Sequence, residues 1–163
     1  MADVDAHDNI LTRDAALLKD TVREAGALAQ SMFRTELKKW IKGASSPVSE
    51  ADIAVNDLLE ARLRAAAPDY GWLSEESADD STRLSRRLTW VVDPIDGTRN
   101  YLNGHDEWCV SVALVEDATP VLAASVCSPC GVVSVSAMCM AATSRVPAMT
   151  TMRLPLGPAN VAK

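Results

Sequence analysis

Trp90-Val91-Val92-Asp93-Pro94-Ile95-Asp96-Gly97-Thr98-Arg99-Asn100-Tyr101 is the stretch on which the reading of this chain turns. Leu88 to Val92 is apolar and β-branched enough for a central strand. Pro94 has no N–H to give to a ladder, so the strand is expected to stop near Asp93. Gly97 lets the backbone approach a ligand closely, and Thr98 suits the cap of a short helix. Two aspartates three residues apart at such a corner repel each other unless a cation lies between them. Hard oxygen ligation of that kind suits magnesium or manganese, and the amides of Gly97 and Thr98 suit a phosphate. Taken singly, Asp93-Pro94 and Asp96-Gly97 also read as ordinary turns with solvated carboxylates.

Upstream, Leu11, Leu17, Leu18, Val22, Ala25, Leu28, Ala29, Met32 and Phe33 recur at helical spacing, which predicts an amphipathic helix from Ile10 to about Lys39. Residues 1–9 are polar and expected to be disordered. Trp40 to Pro47 reads as a loop. Ser49-Glu50-Ala51-Asp52 resembles a capping box opening a second helix, with Ile53, Leu58, Leu59, Leu63 and Ala66 on its apolar side and Pro68 beyond its end. By itself Asp52 is an ordinary first-turn acid that favours the helix dipole. Tyr70 to Ser74 suggests a short strand leading into Glu75-Glu76, whose side chains would point to opposite faces. An acidic, solvated loop entry is the plainer alternative for that pair. Ala78 to Arg87 reads as a mobile surface loop.

Downstream, His105 reads as a surface histidine, because no positioned neighbour marks it as a base. Trp108 to Val115 and Val121 to Val126 read as strands joined by a turn over residues 116–120. The chain then changes character. From Cys127 to Lys163 it has none of the 22 acidic residues but three of the four cysteines, four of the six methionines and four of the eight prolines. Ser134 to Ala142 could form a strand. The expectation is a divergent tail over 127–163, frameshifted or otherwise aberrant, with a naturally short protein as the alternative. Cys127-x-x-Cys130 lacks the second Cys/His pair of a zinc finger, so incidental thiols are the preferred reading.

With 163 residues, 48% hydrophobic and 23% charged, the chain is long enough for one packed domain, and its net charge of −6 argues against a nucleic-acid surface. An acidic protein that handles phosphates needs cations to do so. No stretch approaches the roughly 18 apolar residues of a membrane span. The acidic N-terminus lacks the marks of a signal peptide, so no membrane partner and a cytoplasmic location are expected.

Three stretches together, the Trp90–Tyr101 run, Ser46-Pro47-Val48-Ser49-Glu50-Ala51-Asp52 and Trp72-Leu73-Ser74-Glu75-Glu76, resemble the signature segments of the inositol monophosphatase superfamily. These are metal-dependent phosphomonoesterases that include the 3'(2'),5'-bisphosphate nucleotidases and fructose-1,6-bisphosphatases. The likeness covers about Leu11 to Val126, and within the family it is greatest to bacterial bisphosphate nucleotidases, with inositol monophosphatase close behind. It implies an α+β fold in which helices pack on a mainly antiparallel sheet, the N-terminal lobe of the family's αβαβα sandwich, over residues 10–126.

The resemblance also implies roles. Glu75, Asp93, Asp96 and the Ile95 carbonyl would ligate Mg2+, with Asp93 bridging two cations. Glu75 and Thr98, oriented by Asp52, would serve the proton transfer; Gly97, Thr98 and Lys42 would face the phosphate, and Glu76 would support Glu75. The expected partner is a small phosphorylated substrate, either a bisphosphate nucleotide or an inositol phosphate. The family places a further aspartate in its C-terminal lobe, in a Trp-Asp-x-Ala-Ala-Gly-like motif, and no tryptophan here is followed by Asp. The second cation site is therefore expected to be weak and phosphatase activity severely reduced. The alternative is a non-catalytic fragment that binds metal or self-associates into a homo-oligomer through an exposed sheet edge.

Overall fold

A computed structural model describes the backbone of residues 2–128, 132–137 and 152–154, and the side chains of residues 9–128 and 133–136. Helix α1 (Ala2–Met32) leads into a hairpin of β1 (Lys39–Lys42) and β2 (Ser46–Ser49). Helix α2 (Glu50–Ala66) and strand β3 (Gly71–Ser74) follow. Next come β4 (Leu88–Asp96), the short helix α3 (Thr98–Leu102), β5 (Cys109–Glu116), β6 (Thr119–Cys127), β7 (Val132–Ala137) and β8 (Met152–Leu154). The last six strands form one sheet in the order β3-β4-β5-β6-β7-β8. Only β3 and β4 run parallel; every other neighbouring pair in the sheet is antiparallel. The expected α+β class, helices on a mainly antiparallel sheet, is what the chain adopts.

The core lies between the sheet and the two long helices. From α1 and the residue after it, Leu18, Val22, Ala25, Ala29 and Phe33 are buried, and from α2 Ala51, Val55, Leu59 and Leu63. They meet Trp90 and Val92 of β4, Val110, Val112 and Leu114 of β5, and Leu122, Ala124 and Val126 of β6. Alternation along each strand sends these side chains to the helix-covered face and their neighbours to the other. Gly26 explains how closely α1 lies on the sheet: a Cβ there would stand 2.4 Å from a methyl of Val126.

Several boundaries differ from the expectation. The helical backbone of α1 begins at Ala2, inside the stretch 1–9 expected to be disordered, and ends at Met32 rather than near Lys39. Arg34, in the left-handed region at φ 60°, turns the chain away just beyond. The segment expected as a loop before Pro47 is a β-hairpin, because Trp40, Ile41 and Val48 are strand formers flanking a tight turn with Gly43 at φ 60°. In α2 the inward face is set by Val55, Leu59 and Leu63, whereas Ala66 is exposed and Ile53 and Leu58 are only partly covered. The surface loop after Glu76 holds a 3-10 turn, Ser81–Ser85, capped by Asp80. Asp117 and Ala118, both at positive φ, close the β5–β6 hairpin. Strand β7 starts two residues before Ser134; residues 138–142 of the expected strand lie outside the described residues.

Candidate functional site

Strand β4 does not stop at Asp93. It continues to Asp96 through a break in register between these two aspartates. Such a bulge tolerates Pro94, because the bulged backbone has no ladder bond for proline to spoil. The bulge also turns the chain, so that Asp93 lies opposite Ser111 and Asp96 opposite Cys109 on β5.

Parallel pairing explains how Glu75 arrives. Ser74 is the register partner of Val92, and the Glu75 amide donates to the Val92 carbonyl at 3.2 Å. The carboxyl ends of two parallel strands therefore deliver Glu75 and Asp93 to the same edge. Asp93 feels this company. Its carboxyl is pushed up to about 6 by partial burial first, then by the negative charges of Glu75, Asp96, Asp52 and Glu76. Asp93 thus has Glu75 and Asp96 as negatively charged neighbours. Among the described residues, however, no three Asp, Glu, His or Cys side chains stand close enough to enclose one ion. The three carboxylates are electrostatic neighbours with exposed, rotatable members rather than a closed ligand set. Their donor type, hard anionic oxygen, fits a divalent magnesium or manganese ion.

Asp52, buried at the first turn of α2, holds two segments at once. Its Oδ2 accepts from the Ser49 amide at 2.8 Å and the Ser49 hydroxyl at 2.6 Å, and its Oδ1 lies 2.9 Å from Thr98 Oγ1. The same Thr98 hydroxyl is 2.9 Å from the Ile95 carbonyl, so its single proton serves one acceptor at a time. The pairing of Asp52 with Thr98 expected from the sequence is present. Gly97 caps α3 in the left-handed region at φ 90°, and a Cβ there would fall 2.7 Å from the Glu107 carbonyl. Glycine is required on both counts. The amides of the first turn of α3 lie outside the helix ladder, which begins with the Tyr101 amide donating to the Gly97 carbonyl. Below, Tyr101 packs on Phe33 and Trp108 with ring centroids 5.3 and 5.0 Å apart and donates to the Ala29 carbonyl at 2.7 Å. That aromatic wedge fixes α3 against α1.

Lys42 stands at the end of β3, beside Glu75. Its ammonium pairs with Glu76 at 3.1 Å, whose side chain is only 7% exposed, and donates to the Glu75 carbonyl. The hairpin β1–β2 is thereby tied to the end of β3. His105 is exposed, as expected of a surface histidine. Cys130 and Cys139 lie outside the described residues, and with them the Cys127-x-x-Cys130 spacing.

One set of positioning residues is not apparent in the sequence. Ser74 donates to Asn56 Oδ1 at 2.6 Å and accepts from the Glu76 amide at 3.2 Å, while Asn56 and Trp72 both donate to Ser77 Oγ at 3.2 Å. This network holds the backbone that presents Glu75. The only available signal is that Asn56 falls one turn after Asp52, on the same side of α2.

The model of the inositol monophosphatase family matches residues 11–149 of this chain. Among curated proteins, the chain is 43% identical over 72 residues to Nus factor SuhB of Xylella fastidiosa, spanning 44% of this chain and 25% of that one. It is 33% identical over 111 residues to the 3'(2'),5'-bisphosphate nucleotidase CysQ of Aggregatibacter actinomycetemcomitans, spanning 65% of this chain and 41% of that one. Among solved structures, the extragenic suppressor protein SuhB of Bartonella henselae superposes with a TM-score of 0.70 at 25% identity, over 75% of this chain and 48% of that one. The chain thus spans less than half the length of each of these relatives.

Proposed function

The chain belongs to the inositol monophosphatase family, and we propose that its carboxylate edge serves a magnesium-dependent hydrolysis of a small phosphomonoester. The substrate class proposed is a 3'(2'),5'-bisphosphate nucleotide or an inositol monophosphate; the relative named as a bisphosphate nucleotidase supports the former. The observation that carries the reading is the placing of Asp93 beside Glu75 and Asp96; partial burial first, and then these neighbouring charges, raise its carboxyl to about 6. Excess negative charge at one spot is what a divalent cation relieves.

In this reading Glu75, Asp93, Asp96 and the Ile95 carbonyl hold the cations. When bound, these supply Lewis acidity toward the phosphoryl group. The protein's own groups do the remainder. Asp52 fixes the Thr98 hydroxyl, leaving an Oγ1 lone pair to accept a hydrogen bond from the attacking water, whose proton would pass to the Glu75 carboxylate. The Gly97 and Thr98 amides, at the start of α3, orient phosphate oxygens. Lys42 acts indirectly, neutralising Glu76 so that the β3 end carries less charge than its two glutamates would give it.

A second reading has a specific observation behind it. Because no three candidate ligands enclose an ion among the described residues, the chain could hold metal loosely and catalyse nothing, or serve as a self-associating module. Two measurements separate these. Magnesium-dependent phosphate release from adenosine 3',5'-bisphosphate and from inositol 1-phosphate tests the hydrolase. Calorimetric titration with magnesium tests the site; uptake abolished by Asp93→Asn without turnover supports the second reading, and no uptake at all defeats both metal-based ones.

A further inference from the structure

Beside the carboxylate edge, two thiols face each other across the sheet. Cys109 opens β5 and Cys127 closes β6, and the two are direct register partners. The next pair outward, Trp108 and Ser128, is joined by the Ser128 amide donating to the Trp108 carbonyl at 3.0 Å. Hydrogen-bonded and non-hydrogen-bonded pairs alternate along an antiparallel ladder, so Cys109 and Cys127 form a non-hydrogen-bonded pair. In such pairs the Cα atoms approach to roughly 4.5 Å, inside the roughly 4.4–6.8 Å span that a disulfide bridges.

Their side chains also point the same way. Val110 and Val126, the adjacent residues, are buried toward the helices, so both sulfurs project from the opposite face. There Cys127 is exposed and Cys109 half-buried. The thiols are near enough to hydrogen-bond each other, and Cys109 Sγ donates to Asp96 Oδ2 at 3.8 Å. A groove of about 370 Å3 lined by Asp96, Gly97, Asn100, Cys109 and Cys127 gives solvent access to both.

We propose that Cys109 and Cys127 are an oxidisable dithiol that closes to a cross-strand disulfide when met by a hydroperoxide. The exposed Cys127 sulfur attacks the peroxide oxygen; the O–O bond breaks, an S–O bond forms, and the thiol proton leaves with the departing alkoxide as an alcohol. Cys109 sulfur then attacks Cys127 sulfur; the S–O bond breaks and the hydroxyl departs with the Cys109 proton as water. Two thiols lose two electrons and two protons, and one peroxide is reduced. Closing the bond removes the S–H that Cys109 offers to Asp96, which couples the dithiol to the carboxylate edge. The chemistry of the thiols does not depend on that edge holding a cation.

The test uses the full chain, purified reduced, freed of reductant and treated with hydrogen peroxide in the presence of a chelator. Thiols titrated after denaturation should fall from four to two, and peptide mapping should link Cys109 to Cys127. The variant Cys130→Ser/Cys139→Ser should lose both remaining thiols and regain them with dithiothreitol. Cys109→Ser, a small change at the sheet surface, should prevent the link. A bond from Cys127 to Cys130 in place of Cys109, or full retention of both thiols in the double variant, would overturn the proposal.

Discussion

Thr98 Oγ1 and Asp52 Oδ1 lie 2.9 Å apart although 46 residues separate them in the chain. The contact joins the start of α2 to the start of α3, and with them the two ends of the candidate site. Asp52 is 1% exposed, so its charge relies on the donors around it rather than on water.

Thr98→Val keeps the shape of the side chain and withdraws that donor. A buried carboxylate losing one hydrogen bond costs about 1–3 kcal/mol, which urea unfolding should read as a lower midpoint with unchanged slope. Thr98→Ser should retain nearly all the stability. If both variants unfolded like the wild type, the pairing would be without energetic weight.

Gly97→Ala faces both the left-handed φ of 90° and a carbonyl 2.7 Å from the added methyl. The expected loss is about 1–3 kcal/mol from backbone strain alone. Gly43→Ala is the control, since its φ of 60° is also left-handed but nothing lies within 4 Å of a new Cβ. Thermal unfolding should place the Gly97 variant clearly below the Gly43 variant.

Asp93 gives stability an unusual pH dependence. Its folded carboxyl titrates at about 6 against a reference of 3.8, so between those values the folded state holds the proton more tightly than the unfolded state. Stability therefore falls as pH rises through that window, and Asp93 works against folding at neutral pH. In chelator-treated protein, Asp93→Asn should stabilise by about 1–2 kcal/mol at pH 7, a figure reduced for solvent screening of a half-exposed group. The advantage should shrink to nothing near pH 4. An advantage equal at both pH values would show that ionisation of the Asp93 carboxyl is not its source.

Lys42 and Glu76, 3.1 Å apart, join an exposed ammonium to a nearly buried carboxylate. A double-mutant cycle with Lys42→Met and Glu76→Gln should return a coupling of about 1 kcal/mol. Lys42→Met alone should be worse than the double variant, since it strands the Glu76 charge. Equal stability of the single and double variants would mean that solvent replaces the lysine without cost.

Much of the fold was legible because its signals are local. Leu18, Val22, Ala25 and Ala29 repeat at helical spacing, and Val110, Val112 and Leu114 alternate as a strand requires, so the elements and their buried faces could be read directly. The exceptions were places where one residue's preference met a demand from elsewhere. Pro94 argues for a strand end, but a bulge carried β4 on to Asp96. Trp40 and Ile41 looked like part of a loop, yet pairing with Val48 and Pro47 made them a strand.

The candidate site divides in the same way. That Asp93, Asp96, Gly97 and Thr98 share a corner follows from their closeness in the chain, and the sequence alone determined it. That Glu75 stands beside Asp93, Asp52 beside Thr98, Lys42 on Glu76 and Cys109 opposite Cys127 was decided only by tertiary structure. Parallel pairing of β3 with β4, the docking of α2 and the register of β5 with β6 bring these residues together. Such partnerships depend on which element packs beside which, and composition and periodicity within a single element carry no record of that.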